Sequence, residues 1–138
     1  MTKLYLTRGL AIWVITLLAL SFGLLTINSA GIILFDDGVA RVEAGNYVPF
    51  VLWFNFVAGF FYAAAGVGLW LQQRWAVWLA AVIVIATAIT FAILGLHIYY
   101  GEAFEQRTLI AMSLRIVVWL AITLVAVKFL HYTGIRHD

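Results

Sequence analysis

Long apolar stretches separated by short polar segments set the plan of this chain. They cover approximately residues 9–30, 50–71, 75–98 and 112–131, and the first keeps its apolar character to Phe35. Each approaches or exceeds the roughly 20 residues that carry a helix across a hydrocarbon layer about 30 Å thick. The pattern predicts an all-α integral membrane protein, a single four-span domain folded as a four-helix transmembrane bundle. The connection Gln72-Gln73-Arg74 is very short, so the second and third spans are expected as antiparallel neighbours. Pro49 is the only proline and suits the first turn of the second span.

Between the first two spans, Asp36-Asp37-Gly38 divides the apolar segments Ile32–Phe35 and Val39–Val42. This is a turn signal, and it predicts a short β-hairpin lying at the membrane surface. A cleaved signal peptide is the competing reading of the N-terminal run, with Lys3 and Arg8 as its basic region. The length of the run, and the apolar residues that follow Asn28-Ser29-Ala30-Gly31, favour a retained span.

Composition agrees with lipid as the solvent. Of 138 residues, 66% are hydrophobic and 10% charged, with a mean hydropathy of +1.08. Soluble domains have about 45–50% apolar and about 25% charged residues. There is no cysteine, which excludes disulfides, thiolate nucleophiles and Cys-ligated metals. The formal charge of +2 comes with no basic patch interleaved with aromatics, so nucleic acid is not an expected partner.

Charge also predicts orientation. Lys3, Arg8, Arg74, Lys128 and Arg136 fall on one side of the four-span plan, and Asp36, Asp37, Glu43, Glu102 and Glu105 on the other. The basic bias places both termini and the Arg74 connection in the cytoplasm. The chain resembles the small four-span inner-membrane proteins of bacteria, which implies a multi-pass protein of a bacterial-type inner (plasma) membrane. The bilayer is one partner, and self-association or another membrane protein is the other.

Within the spans, Asn55, Gly59, Tyr62 and Gly66 share one face of the second helix, a spacing expected of close packing. Ala81, Ala88 and Gly95 make a similar stripe on the third, with Thr87, Thr90, Leu94 and His97 close to another. Arg115 shares a face with Met112, Trp119 and Ile122. Polar groups from all four helices then fall toward the acidic side: Asn28, Asn55, His97 and Arg115, with Tyr100, Glu102 and Glu105 in the adjoining connection. These are the candidates for a ligand site or structural polar network. A charged residue within a span is costly unless paired, and the expected partners of Arg115 are Asp36, Asp37, Glu43 or Asn55.

His97 with nearby carboxylates is the candidate metal ligand, although His-x-x-x-His and Glu-x-x-His signatures are lacking. His131 and His137 belong to a tail expected to be solvated. No Ser/His/Asp pattern or phosphate-cradling glycine loop is present, so an enzyme is not indicated. Nothing in the sequence calls for a particular cofactor. The leading expectation is an accessory or assembly-forming membrane protein whose polar cluster contacts a partner or lipid. A small transporter or channel, with Thr87, Thr90 and Asn55 lining a route for an ion or small polar molecule, is the alternative. A redox or metal-binding component centred on His97 is the third.

Overall fold

The computed structural model describes residues 2–36 and 38–131, and side chains over 9–36 and 38–129; Asp37, Arg136 and His137 lie outside the described residues. The chain runs as α1 (Thr2–Phe35), α2 (Val39–Ala44), α3 (Pro49–Trp70), α4 (Arg74–Tyr99) and α5 (Gln106–Ala126), and α5 continues into a π-helical turn over Val127–His131. Among the described residues, four helices are long and apolar enough to cross a membrane: Gly9–Phe35, Pro49–Trp70, Arg74–Tyr99 and Gln106–Phe129. They form a four-helix bundle in which α1 lies beside α3 and α5, and α4 beside the same two. The connections of α1 to α3 and of α4 to α5 share one end, called here the loop end.

No strand occurs among the described residues, and the expected hairpin is replaced by the short helix α2. The last carbonyls of a helix need partners, and Arg41 supplies them for α1. Its guanidinium group donates to the carbonyls of Ile33 at 2.8 Å and Leu34 at 2.6 Å. That back-reach folds α2 onto the end of α1, where a cation is also favoured by the helix dipole. The Asp36 carboxylate accepts from the Gly38 amide at 3.0 Å, which turns the chain into α2 by a local side-chain bond rather than a hairpin turn.

The fourth span begins at Gln106, not near residue 112. Hydropathy locates only the apolar part of a helix, and its polar first turn lies before that. The loop end is clasped around this turn. Glu105 accepts from the Asn46 amide at 2.8 Å, and Arg107 donates to the Glu43 carbonyl at 2.8 Å. Gly45 has φ 65° and ψ −131°, a region essentially closed to residues with a Cβ. A Cβ there would also run into the Glu105 carboxylate.

Helices α1 and α3 approach most closely. A Cβ added to Gly23 would meet the Gly59 carbonyl and the Ala63 nitrogen at 2.9 Å, and one added to Gly59 would meet the Gly23 carbonyl at 3.1 Å. A Cβ on Gly66 would meet Leu20 at 2.9 Å. The expected packing face of the second span is therefore in use, against α1. The Ala81–Ala88–Gly95 stripe is not: Ala88 and Gly95 are exposed, and nothing approaches a Cβ at Gly95. Helix α4 instead turns Ala76, Ala80, Ile83, Thr87, Thr90 and Leu94 inward.

Exposed Trp13, Trp53, Trp70, Trp75 and Trp78 line the outside of the bundle, whereas Trp119 is fully buried. The lateral surface is apolar, as a lipid-facing surface requires. Replacing Gly59 by leucine forces a branched side chain between two helix backbones. Gly59→Leu is expected to destabilise the bundle by about 1–3 kcal/mol, read as a lower unfolding midpoint in mild detergent. Gly95→Leu, facing outward, leaves that midpoint unchanged.

Candidate functional site

Two apolar cores occupy the interior, and a polar layer lies between them. One core, toward the termini, contains Ile12, Ile15, Ala19, Ala58, Tyr62, Leu69, Ile83 and Trp119, among others; the other, toward the loop end, contains Val48, Val51, Leu94 and Met112. The inward stripe of α3 reads Val51, Asn55, Ala58. That of α4 reads Ile83, Thr87, Thr90, Leu94, and that of α5 reads Met112, Arg115, Trp119. On α1, Thr26 follows Ala19 and Gly23 along the buried face. Every spanning helix therefore places a polar side chain between the cores. At 1.5 Å per residue, Arg115 and Thr26 each lie roughly 14 Å from the loop-end terminus of their helices. That is nearly halfway through a layer about 30 Å thick.

Arg115 is the only charged residue of this layer among the described residues, and it is partly buried. Its Nη2 donates to the Thr26 hydroxyl at 3.3 Å. The guanidinium group faces the Tyr62 hydroxyl, which also faces Thr87, but no well-aligned bond closes on Tyr62 Oη. Below it the Tyr62 ring lies against the Trp119 indole at 4.8 Å between centroids, tilted by 33°. This aromatic pair joins α3 to α5 across the diagonal of the bundle and fills the space beneath the charge.

The layer is only partly satisfied from within. The Thr87 and Thr90 hydroxyls donate back to the carbonyls of Ile83 at 2.7 Å and Ala86 at 2.9 Å, so they need nothing else. Asn55 Oδ1, Tyr62 Oη, Arg115 Nε and Trp119 Nε1 are buried atoms with no partner among the described residues. Of the expected acidic partners, neither Asp36 nor Glu43 pairs with Arg115, and Asp37 lies outside the described residues; among the described residues the electrostatic partner of Arg115 is Tyr62.

A cleft of about 150 Å³ leads from Arg115 to the outside between α1 and α5, lined by Phe22, Leu25, Thr26 and Ser29. Thr26 and Tyr62 were not among the candidates. Threonine is common in membrane helices, and Tyr62 reads as part of a small-residue face; neither has a sequence mark of its own.

The other candidates lie elsewhere. Asn28 is exposed on α1, and Tyr100 is exposed at the loop end, edge-on to Tyr99 at 5.7 Å. Glu102 is exposed, and Glu105 belongs to the clasp with Asn46. The expected cluster of these residues with Arg115 near one surface is thus replaced by a deeper layer that includes only Asn55 and Arg115 from that set.

His97 bonds through Nε2 to the Ala103 carbonyl at 3.2 Å and stands edge-on to Phe50 at 5.7 Å. Its own carbonyl accepts from the Glu102 amide at 3.2 Å. The side chain thus ties the end of α4 to the following turn. No group of three His, Cys, Asp or Glu that could hold a metal assembles among the described residues, so the arrangement gives the metal-centred reading no support.

A charge inside an apolar bundle, with no carboxylate beside it among the described residues, does not stabilise it. Apolar residues in place of buried charges are often neutral or stabilising by about 1–4 kcal/mol. Arg115→Leu is therefore expected to leave the unfolding midpoint of the isolated protein unchanged or raise it. Trp119→Ala removes a fully buried indole and is expected to cost about 3–5 kcal/mol. Thermal unfolding of both variants in one detergent checks the contrast. No model of a known protein family, no curated protein and no solved structure matches the chain, so the role of the layer is read from its own residues.

Proposed function

We propose that this protein is a small accessory or assembly-forming membrane protein, whose Arg115 layer serves contact with another membrane component. The observation that carries this reading is a guanidinium group inside a spanning helix, without a carboxylate beside it among the described residues, lining an open lateral cleft. Intramembrane charges of this kind are costly and mark function more often than stability. The connections between the spans offer little material for chemistry, and the apolar outer surface suits association within the bilayer. Purification of the native assembly in mild detergent, with mass spectrometry, is expected to recover a stoichiometric membrane protein partner. The protein reconstituted alone is expected to show no solute flux.

A small transporter or channel for an ion or small polar molecule is the second reading. It is favoured by one observation: all four spans contribute polar side chains to one layer, and several of their atoms lack partners among the described residues. Under this reading the reconstituted protein conducts or exchanges solute, and Asn55→Leu and Arg115→Gln change the flux.

The positive-inside bias supports a bacterial-type inner membrane with both termini and the Arg74 connection in the cytoplasm. The loop end, with Glu43, Glu102 and Glu105, then faces outward. The natural chain has no cysteine, so single-cysteine variants give a clean test. A membrane-impermeant thiol reagent applied to intact cells is expected to label Glu102→Cys and spare Gln73→Cys.

A further inference from the structure

We infer that the cleft between α1 and α5 receives the carboxylate of an acidic residue within a transmembrane helix of a different protein. This rests on the assembly reading and names the chemistry of the partner. The cleft combines the Arg115 guanidinium group with the hydroxyls of Thr26 and Ser29, between apolar walls from Phe22 and Leu25. One cation and two hydroxyls in an apolar frame are complementary to a single carboxylate on an otherwise apolar surface. The guanidinium fork is suited to take both oxygens of such a group.

Depth decides among the sources of a carboxylate or other anion. Arg115 lies roughly 14 Å below the start of α5, whereas lipid headgroups flank a hydrocarbon layer about 30 Å thick. A phosphate or fatty-acid carboxylate held at the interface would have to sink through most of a leaflet to reach it. A Glu or Asp midway along a neighbouring helix is already at that level.

The sequence decides against a second copy. All acidic residues of this chain, Asp36, Asp37, Glu43, Glu102, Glu105 and Asp138, lie outside the four spans. A copy seated at this cleft would bring no intramembrane carboxylate, and a symmetric contact through it would set Arg115 against Arg115. The complementary charge must come from another chain.

The seam is also accessible. Leu25, one of its apolar walls, is 64% exposed, and Ser29 on the same face is exposed as well. An incoming helix therefore meets apolar flanks around the polar centre. Association within lipid depends on packing and polar contacts rather than on hydrophobic burial. A carboxylate at this position thus confers specificity that the rest of the apolar surface lacks.

The test uses the full-length protein, labelled with a fluorophore and reconstituted in phosphatidylcholine vesicles. The probes are two synthetic single-span Leu/Ala helices, identical except for one central Glu or Gln. Energy transfer is expected to show the Glu helix associating roughly tenfold more tightly than the Gln helix. Arg115→Gln abolishes that preference, and Arg115→Lys retains part of it. Ser29→Leu, which fills the cleft from an exposed position and leaves the core untouched, also abolishes it, so the result does not depend on one variant's folding.

Equal association of the two helices with the wild-type protein overturns the inference, as does a Glu preference that survives both Arg115→Gln and Ser29→Leu. Stoichiometric, Arg115-dependent binding of oleate that excludes the Glu helix overturns it in favour of a lipid acid. If the native assembly is recovered intact with Arg115→Gln, the assembly reading stands and this inference alone fails. If no native partner is recovered, the assembly reading fails on its own evidence.

Discussion

In hydrocarbon, a guanidinium group needs a carboxylate, a route to the interface or a ring of dipoles. Arg115 has the last of these. Thr26 accepts one bond, and the hydroxyl of Tyr62 faces the charge with Thr87 behind it. The bundle is built so that these groups meet. Close contact of α1 with α3 at Gly23, Gly59 and Gly66 sets the position of Thr26 relative to Tyr62. The Tyr62–Trp119 pair then holds α3 against α5 across the diagonal. Packing below the layer and polarity within it are two sides of one arrangement.

The layer divides the interior unevenly. The core toward the termini interleaves alanines with Ile, Leu, Tyr and Trp side chains, and the alanines let the helices approach closely. The core toward the loop end is smaller and is closed by bonds between connections, Glu105 to Asn46 and Arg107 to Glu43. These bonds explain where most loop-end charges belong. Glu105, Arg107 and Arg41 satisfy or use backbone groups that a helix terminus or turn leaves over, and His97 does the same for the turn after α4. Arg115 is placed away from such backbone duties, in a position where packing would prefer a leucine. That contrast separates a candidate site from the architecture around it.

Association through an intramembrane charge has a simple consequence for a chain this short. Apolar helix surfaces are alike, so packing alone discriminates poorly among neighbours in a bilayer. Under the proposed assembly role, a single charge at fixed depth, reached through a cleft, would select both the partner and its register. The same charge disfavours the contact of two copies across this seam.

The four spans, their antiparallel order and the inward face of α5 were legible in the sequence, because hydrocarbon demands long apolar helices and because Met112, Arg115, Trp119 and Ile122 recur at helical spacing. The packing role of Gly59 and Gly66 was legible for the same reason. Helix α2 was not, since the bond from Arg41 to the end of α1 has no sequence pattern, and the Asp-Asp-Gly turn signal points to a hairpin. The Ala81–Ala88–Gly95 stripe was misleading, because small residues mark a surface that can pack without saying whether a neighbour is present. The depth of the polar layer was also hidden. Charged loop residues near His97 and Arg115 in sequence suggested a surface cluster, but Glu102 is exposed, Glu105 bonds the backbone of the other connection and His97 bonds the backbone of the adjoining turn. Sequence alone determined that a charge lies within a membrane helix, on one face with Met112, Trp119 and Ile122. Only the tertiary structure decided that it meets Thr26 and Tyr62, and no carboxylate among the described residues, because partners from separate helices are chosen by their packing and not by their spacing along the chain.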